Sequence, residues 1–328
     1  MEPVRWGVLG AANFAREQMA PAIHAAKGAD LVALATPHPE KAEGFKAFQP
    51  RLTVHPTYEA LLADPEVEAV YIPLPNHLHV EWTIKVAEAG KHVLTEKPIA
   101  MHASEFDRLI AARDRSGKLV AEAYMIVHHP QWIRARELVQ GGAIGRLLHV
   151  DAAFSYHLTD LENIRNRPEA GGGSLPDIGV YTFGSTRFVS GEEPVAVDHA
   201  HVRRENGVDV FAGLWARFPS FTYSGFTSMR MFPRQEVVFH GDEGVLRVGM
   251  GPFNANLFDL AQLSIETSSG ARTLERWPGV NHYVLQVENF GRSLREGADY
   301  PCPLEFSRGT QRMIDMVLEA EGYQAATG

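Results

Sequence analysis

The sequence predicts an α/β chain in which a doubly wound parallel sheet is followed by an α+β domain with an open, mainly antiparallel sheet. Two observations lead to this prediction. Short apolar segments alternate with helical segments over residues 1–123, whereas residues 124–328 contain longer segments in which apolar and polar residues alternate. In addition, 328 residues are enough for about two domains of ordinary size. We therefore predict two domains, 1–123 and 124–328.

Six short strands are predicted in the first domain, each apolar throughout and each separated from the next by a helix. Strands that are apolar on both faces are typical of a parallel sheet covered by helices on both sides. With right-handed crossovers, such strands form the doubly wound, dinucleotide-binding Rossmann fold. The predicted strands are 4–10, 29–36, 52–54, 68–75, 92–98 and 118–124, and the predicted helices are 13–27, 39–48, 57–63, 77–89 and one that begins at residue 104.

The second domain is predicted to begin with a helix over 131–142 and to continue with strands rich in aromatic and β-branched residues. Several of these strands alternate apolar and polar residues, as expected for an antiparallel sheet with one buried face. The predicted strands are 147–156, 208–218, 221–228, 235–241 and 244–249, and the later helices are at about 177–189, 281–296 and 306–322.

A turn of small residues follows the first strand, in the segment GVLGAANFAR (7–16). The dinucleotide fingerprint G-x-G-x-x-G/A maps onto Gly10, Ala12 and Ala15, with an alanine in place of the second glycine. The start of the next helix offers backbone N–H groups and the positive end of a dipole to the cofactor phosphates. We therefore assign cofactor binding to Gly10, Ala11, Ala12, Asn13, Phe14 and Ala15.

The end of the second strand bears on the choice between NAD and NADP. An acidic residue there would bind the ribose hydroxyls of NAD and repel the 2′-phosphate of NADP. The segment ATPHPEK (35–41) has no carboxylate at the strand tip, whereas Thr36 can donate a hydrogen bond and His38 and Lys41 can offer positive charge. NADP is therefore favoured as the cofactor, with NAD as the alternative.

Three further segments carry polar groups suited to chemistry: LPNHLH (74–79) after the fourth strand, TEKP (95–98) after the fifth, and PEAGGGSLPDIGVY (168–181) in the second domain. Open α/β sheets bind ligands at the carboxyl ends of their strands. With AGKHVLTEKP (89–98) and GGAIGRL (141–147), these segments resemble the glucose–fructose oxidoreductase, inositol dehydrogenase and rhizopine-catabolism (Gfo/Idh/MocA) family. Within that family the segment GGGSLPDIGVY is most similar to the dihydrodiol and D-xylose dehydrogenase branch.

The resemblance implies an NAD(P)-dependent oxidoreductase that acts on a secondary alcohol or carbonyl of a sugar, polyol or cyclic diol. It implies a second domain that binds the substrate and forms a homodimer or larger homo-oligomer through its sheet. It also implies catalytic roles for Lys97, Asp177 and Tyr181, while Val127 stands where the family often has an arginine. The alternative is a non-catalytic regulator or sensor of the same fold that binds a dinucleotide.

The chemistry of alcohol oxidation agrees with this set. Hydride leaves the carbon for the nicotinamide, so a protein group must accept the hydroxyl proton. Asp177 and Tyr181 are spaced i, i+4 and share one face of a helix. A tyrosine has an ordinary pKa of about 10, which a nearby Lys97 ammonium would lower and Asp177 would raise. We expect Tyr181 to carry the proton, Lys97 to stabilise it and Asp177 to orient its partners, with Lys97 as the alternative proton-transfer group.

The remaining site residues are assigned by their position in these segments. The resemblance places Asn76 near the nicotinamide, and His129 is left open between a structural and a catalytic role. The pattern His77-x-His79 lacks an evident third ligand, so no metal is expected. The cofactor site is predicted to include Pro73, Leu74, Asn76, His79, Glu96 and Lys97, and the substrate site Lys97, His157, Arg165, Asp177 and Tyr181.

Composition limits the partners and the location of the protein. The net charge of −9 argues against nucleic acid and anionic membranes as partners, and no run approaches the ~18 apolar residues of a membrane span. The single cysteine, Cys302, rules out a disulfide framework within the chain, which favours a reducing compartment. The first strand begins at Val4, which leaves no room for a signal peptide. We therefore expect a soluble, cytoplasmic protein.

Overall fold

The computed structural model describes residues 2–249 and 251–322 of the chain. The chain divides into two compact units. The first consists of the residues up to His128 together with Asn281–Ser307, and the second of His129–Val280 together with the residues from Arg308 onward. The boundary predicted between residues 123 and 124 thus lies just before the observed one, but the first unit also takes a segment from late in the sequence.

Helices account for much of both units. The α-helices are α1 (Ala20–Ala25), α2 (Pro39–Lys46), α3 (Tyr58–Leu62), α4 (His79–Glu88), α5 (Phe106–Ser116), α6 (Pro130–Gln140), α7 (Val180–Ser190), α8 (His282–Glu296) and α9 (Leu304–Ala320). Among the residues that the structure describes, no helix has both the length and the apolar character needed to cross a membrane.

A six-stranded sheet forms the centre of the first unit. Its strands are β1 (Val4–Leu9), β2 (Ala29–Ala35), β3 (Thr53–His55), β4 (Ala69–Ile72), β5 (His92–Glu96) and β6 (Val120–Ala123). They lie in the order β3-β2-β1-β4-β5-β6, and all neighbours are parallel. Every residue of β4 is buried, as expected for a strand covered by helices on both faces. The predicted doubly wound parallel sheet is therefore confirmed.

Helix α8 belongs to the first unit, although its sequence follows the strands of the second. The rings of Trp6 in β1 and Phe290 in α8 lie 4.8 Å apart, and both side chains are fully buried. Farther along α8, both terminal nitrogens of Arg295 donate to the carboxylate of Glu68 at 2.6 Å. This helix is predicted from the sequence but as part of the second domain, because helical periodicity does not show which sheet a helix covers.

A second, eight-stranded sheet forms the centre of the second unit. Its strands are β7 (Leu147–His157), β8 (Ala196–Glu205), β9 (Val208–Arg217), β10 (Thr222–Ser228), β11 (Arg230–Gly241), β12 (Gly244–Gly249), β13 (Gln262–Thr267) and β14 (Arg272–Arg276). They lie in the order β14-β13-β12-β11-β7-β10-β9-β8. Strands β7 and β10 are parallel, and the other neighbours are antiparallel. The mainly antiparallel sheet predicted for this part of the chain is confirmed.

Three strands of the second sheet were not predicted, and one begins earlier than predicted. Strands β8 and β14 are the two edges of the sheet and carry mostly exposed or half-exposed polar residues, so the apolar alternation that marks a strand is weak. Strand β13 was also missed. Strand β11 begins at Arg230 because Pro233 falls in a register irregularity, where its missing N–H group breaks no ladder bond.

Two helices are preceded by a π-helical turn, and both turns lie in segments that the sequence assigns to function. The turn Ala15–Met19 leads into α1, and the turn Leu175–Gly179 leads into α7. The helices predicted over 13–27 and 177–189 are therefore each divided into a π turn and an α-helix. Such turns are rare and are frequent at functional sites. The second of them contains Asp177.

Candidate active site

The glycine turn of the first unit lies directly after β1. Gly10 has a φ of +107°, a conformation that side chains other than glycine rarely adopt. Its N–H donates to the carbonyl of Ala35 at the end of β2, at 2.9 Å. A Cβ atom at this position would lie 3.0 Å from Cδ2 of Leu74, the residue shortly after β4. Gly10 is therefore the position in the fingerprint where the backbone conformation and the close packing both require glycine.

The rest of this turn presents backbone and an aromatic ring towards the surface. Asn13 and Phe14 are exposed, while Ala11 and Ala12 are half-buried and Ala15 is buried. The edge of the Phe14 ring packs against Tyr283 of α8, with ring centroids 5.6 Å apart. This combination of small residues and an accessible helix start suits a dinucleotide phosphate.

The tip of β2 carries the residues that bear on cofactor choice. Thr36 is buried, and its hydroxyl accepts a hydrogen bond from the N–H of His38 at 3.1 Å. His38 and Lys41 are exposed at the start of α2. The His38 ring lies 3.4 Å from the carboxylate of Glu40. Thr36 therefore shapes the turn, and His38 and Lys41 face solvent beyond it.

His79 is completely buried at the start of α4, between the ends of β4 and β5. Its Nδ1 lies 2.7 Å from the carbonyl oxygen of Pro98, and its Nε2 lies 2.7 Å from that of Leu74. Burial lowers the pKa of His79 to about 4, although both hydrogen bonds favour the charged form. His79 is predicted in the cofactor site, and in the structure its two ring nitrogens contact the backbone of the loops after β4 and β5.

Lys97 is half-buried at the end of β5, and its peptide bond to Pro98 is cis. The loop that carries it is held by buried side chains. His79 contacts the carbonyl of Pro98, and the carboxylate of Glu122 accepts the N–H of Ile99 at 2.9 Å. The backbone around Lys97 is therefore fixed by residues from α4 and β6.

Glu96 precedes Lys97 and lies beside two tyrosines. Burial raises the pKa of Glu96 to about 7, although the Tyr71 hydroxyl donates to its carboxylate at 2.7 Å and Lys97 adds positive charge. Burial also raises the pKa of Tyr283, with a further contribution from Glu96. Tyr71 and Tyr283 were not predicted as site residues, because a tyrosine in an apolar strand or helix usually belongs to the core.

The remaining predicted residues of the first unit lie near these groups. Asn76 is half-buried and begins a 3-10 turn, Asn76–Leu78, just before α4. Pro73 is also half-buried, and Leu74 is buried beside Gly10. Because β1, β4 and β5 are neighbours in a parallel sheet, their carboxyl ends meet at one edge. The structure thus brings the glycine turn, the Asn76 turn and Lys97 to the same edge of the sheet.

Asp177 of the second unit is bound by two side chains. One oxygen of its carboxylate, Oδ2, accepts Nε of Arg165 at 2.9 Å and the hydroxyl of Tyr156 at 2.6 Å. The Asp177 side chain is 12% exposed and that of Arg165 is 42% exposed. The predicted site residues Arg165 and Asp177 are therefore brought together, and Tyr156 joins them.

Tyr156, the neighbour of the predicted substrate residue His157, is the residue of β7 that contacts Asp177. Side chains alternate between the two faces of a strand, so adjacent residues of β7 point to opposite sides. Tyr156 donates to Asp177, whereas His157 is exposed and pairs in register with Arg230 of β11. The alternation was visible in the sequence, but nothing in it marked which face carries the site.

Tyr181 lies one turn beyond Asp177, in a pocket of aromatic rings. The Tyr181 side chain is mostly buried, and its ring centroid is 5.7 Å from that of Phe154 and 5.5 Å from that of Phe253. Phe154 is also 6.4 Å from the ring of Tyr156. The phenol therefore stands on a rigid apolar support near the Asp177 carboxylate.

Asp209 binds the start of the helical segment that carries Asp177 and Tyr181. Its Oδ2 accepts the hydroxyl of Ser174 at 2.6 Å and the N–H of Leu175 at 2.7 Å. Gly173 has a φ of +133°, and a Cβ atom there would lie 2.1 Å from Oδ1 of Asp209. Burial raises the pKa of Asp209 to about 6, against the lowering effect of these hydrogen bonds. Asp209 lies inside a strand sequence, so no local signal predicted this role.

His129, which the sequence leaves open between a structural and a catalytic role, lies at the start of helix α6. His129 is buried, and its Nδ1 accepts the N–H of Gln131, so it caps helix α6.

Over residues 2–249 and 251–322, no group of three or more histidine, cysteine, aspartate or glutamate side chains is arranged to hold a metal ion. Arg167, in the same loop as Arg165, pairs with Glu162.

The fold and these groups define an oxidoreductase with a Rossmann domain. Residues 4–124 match the model of the oxidoreductase family with an NAD-binding Rossmann fold, and residues 132–247 match that of the GFO/IDH/MocA C-terminal domain. The chain is 35% identical to an uncharacterized oxidoreductase from Rhizobium meliloti over 97% of this chain and 96% of the relative. The chain belongs to the Gfo/Idh/MocA family of oxidoreductases, and the resemblance predicted from its motifs is confirmed.

Two further proteins show the range of this similarity. An NADP(+)-dependent D-xylose 1-dehydrogenase from Haloferax volcanii is 30% identical over 98% of both chains. The crystal structure of a 3-ketoreductase from Actinomadura kijaniata, in complex with NADP and TDP-benzene, has a TM-score of 0.88 and 27% sequence identity. It covers 97% of this chain and 98% of the reductase.

The raised pKa of Glu96 generates a prediction about stability. The folded protein binds a proton at Glu96 that the unfolded chain releases between about pH 4.5 and about pH 7, so this residue makes stability fall as pH rises through that window. We expect Glu96→Gln to gain about 1–3 kcal/mol in free energy of unfolding, relative to wild type, between about pH 5 and about pH 8. Urea unfolding at the two pH values measures this difference.

The matched control is Glu81→Gln, which changes an exposed glutamate on α4. This variant should follow the wild-type pH dependence. An identical pH dependence for Glu96→Gln and the wild type would contradict the prediction.

Proposed function

We propose that the protein catalyses hydride transfer between NADP and a secondary alcohol or carbonyl carbon of a sugar, polyol or cyclic diol. The observation that carries the proposal is the arrangement at Tyr181: a mostly buried phenol on a rigid aromatic support, one helical turn after a carboxylate that is held by Arg165 and Tyr156. The D-xylose dehydrogenase supports a sugar as the substrate class, and the 3-ketoreductase complex supports NADP as the cofactor.

The residues of the glycine turn fit a dinucleotide. Gly10 keeps the turn tight, because a side chain there would meet Leu74, and the small side chains of Ala11 and Ala12 leave room for a phosphate to approach the backbone. The turn Gly10–Ala15 would hold the pyrophosphate, and Thr36, His38 and Lys41 would surround the adenosine ribose and its 2′-phosphate. When bound, NADP supplies the hydride donor and acceptor.

In this proposal the protein handles the proton. Tyr181 takes the hydroxyl proton of the alcohol during oxidation and returns it during reduction. Lys97 donates a hydrogen bond to the substrate oxygen, and its positive charge favours the ionised phenol. Asp177 orients Arg165 and Tyr156 beside the substrate. Lys97 is the alternative proton carrier, and the variants below separate the two assignments.

We also propose that the chain forms a homodimer through the eight-stranded sheet. Several large apolar side chains on its strands are exposed, including Trp215, Phe232 and Leu274, and Phe232 is 89% exposed. Trp215 stacks on His149 with ring centroids 5.1 Å apart, which holds its ring in place across the strands. Exposed apolar surface of this kind marks interfaces in proteins that function as oligomers.

The cytoplasm is the proposed location. Cys302 is the only cysteine of the sequence, and it is buried with its sulfur 3.5 Å from the hydroxyl of Ser307. A chain without intramolecular disulfides is typical of a reducing compartment. Cell fractionation tests this assignment.

The central prediction concerns Tyr181 and Lys97. We expect Tyr181→Phe to lower kcat by about 100-fold or more, because the hydroxyl that carries the proton is lost. Lys97→Met should lower kcat by a similar factor. The measurement is nicotinamide absorbance with NADP and a panel of sugars and polyols, and tight binding of NADP to both variants would show that they fold.

The controls for this experiment are Tyr223→Phe, which changes another buried tyrosine of the second unit, and Lys118→Met, which changes a lysine just before β6. Both should retain most of the wild-type kcat. Wild-type turnover in Tyr181→Phe would assign the proton to Lys97, and wild-type turnover in both site variants would remove the proposal.

A second prediction concerns the cofactor. We expect Lys41→Ala to raise KM for NADP about tenfold, which corresponds to about 1.4 kcal/mol, and to leave KM for NAD nearly unchanged, because only NADP has the 2′-phosphate. Lys46→Ala, on the same helix and beside Glu43, is the control and should change neither value. An equal rise in KM for both cofactors would contradict the assignment of Lys41.

A third prediction concerns the dimer. Sedimentation velocity should show the wild type as a dimer, and Trp215→Arg should shift it towards monomer because a charge would be buried in the interface. Ile133→Arg, which changes an exposed apolar residue of α6, should remain dimeric. A wild-type protein that sediments as a monomer would contradict the proposal.

A further inference from the structure

A negative charge on Asp177 would oppose the loss of a proton from Tyr181. Asp177 stands four residues before Tyr181, and Tyr181 packs against the same aromatic cluster that contacts Tyr156. An uncompensated carboxylate near a phenol disfavours the phenolate and raises the pKa of the phenol. A proton carrier near neutral pH needs the opposite effect.

The structure supplies the compensating charge within the same unit. The guanidinium of Arg165 bonds to Oδ2 of Asp177 through Nε at 2.9 Å, and the hydroxyl of Tyr156 bonds to the same oxygen at 2.6 Å. Hydrogen bonds between charged partners are stronger than neutral ones, and an arginine remains protonated over the whole physiological range. The carboxylate charge is therefore balanced directly.

We propose that Arg165, with Tyr156, neutralises Asp177 and thereby allows Tyr181 to ionise near neutral pH. This inference rests on the proposed function, because it takes Tyr181 as the proton carrier. In it, Arg165 and Tyr156 are positioning residues that act on Tyr181 through Asp177. The sequence predicts Arg165 as a substrate-binding residue and carries no signal for Tyr156.

The surroundings of these groups agree with this arrangement. The pKa of Arg165 is raised chiefly by Asp177, and Tyr181 also contributes. Burial raises the pKa of Tyr156, with Asp177 adding to the effect, so Tyr156 remains a hydrogen-bond donor. The titratable groups of the second unit that contribute to these shifts are Asp177, Arg165, Asp209, Tyr156 and Tyr181.

The loop that carries Arg165 is also fixed. The side chain of Asn163 accepts the N–H of Arg165 at 3.1 Å, and the carbonyl of Arg165 accepts the N–H of Gly173 at 3.0 Å. Next to it, the side chain of Asn166 accepts a hydrogen bond from Arg230 of β11 at 2.9 Å. Arg165 is therefore held in place before any substrate binds.

The test is a double-mutant cycle at Arg165 and Asp177, in which the charge of each side chain is removed singly and together. Arg165→Met removes the guanidinium from the Asp177 carboxylate, so we expect the pKa that governs kcat to rise by about one unit or more. The double variant Arg165→Met/Asp177→Asn removes both charges, and this pKa should return towards the wild-type value even if kcat stays low. Arg165→Lys should shift it less than Arg165→Met.

Tyr156→Phe removes only the hydroxyl, and we expect a smaller rise of the same pKa than in Arg165→Met. Tyr223→Phe is the control for the loss of a buried tyrosine hydroxyl and should leave the pH profile unchanged. A variant that raises KM without moving the pH profile would show that Arg165 serves substrate binding alone, which would overturn the inference.

A direct titration of Tyr181 separates this inference from the proposed function. Carbon NMR of protein labelled in the tyrosine rings reports ionisation without cofactor or substrate, and Tyr181→Phe assigns the signal. A higher pKa of Tyr181 in Arg165→Met, reversed in the double variant, supports the inference even if no substrate is turned over. An unchanged pKa of Tyr181 in Arg165→Met overturns it, even if the enzyme is active.

Discussion

The candidate chemical groups depend on one constraint: each stands on backbone that is held by a buried polar side chain. Lys97 follows β5, and its loop is bound by His79 on one side and Glu122 on the other. Asp177 and Tyr181 follow a helix start that Asp209 caps. A polar group without a partner would be costly in these buried positions, so each bond fixes the backbone strongly. Lys97, Asp177 and Tyr181, which the proposed chemistry needs, therefore stand on fixed backbone.

The same arrangement explains why the buried carboxyl groups differ in their charge state. Glu96 and Asp209 are enclosed with few compensating charges, and burial raises their pKa to about 7 and about 6. Asp177 instead has the Arg165 guanidinium on its carboxylate. A carboxylate that orients other groups must keep its charge, and a direct cationic partner secures this better than hydrogen bonds alone.

Much of the fold and part of the site could be predicted from the sequence. The buried strands of the first sheet are apolar runs, and the glycine that the turn requires is Gly10, the first position of the fingerprint. The edge strands β8 and β14 were missed because exposed edges lack apolar alternation. Tyr156 was not predicted, although its neighbour His157 was, because alternation shows that two residues face opposite sides of a strand but not which side faces Asp177.

The sequence by itself determined the class of fold, the glycine turn and the residue types that could carry a proton, because these depend on local periodicity, backbone conformation and side-chain chemistry. Only the tertiary structure decided that α8 covers the first sheet through Phe290, and that Asp209 caps the helix start before Tyr181. The same holds for Arg165 and Tyr156 on Asp177. These contacts join residues far apart in the chain, and their free energy arises from burial and charge pairing that no local pattern records.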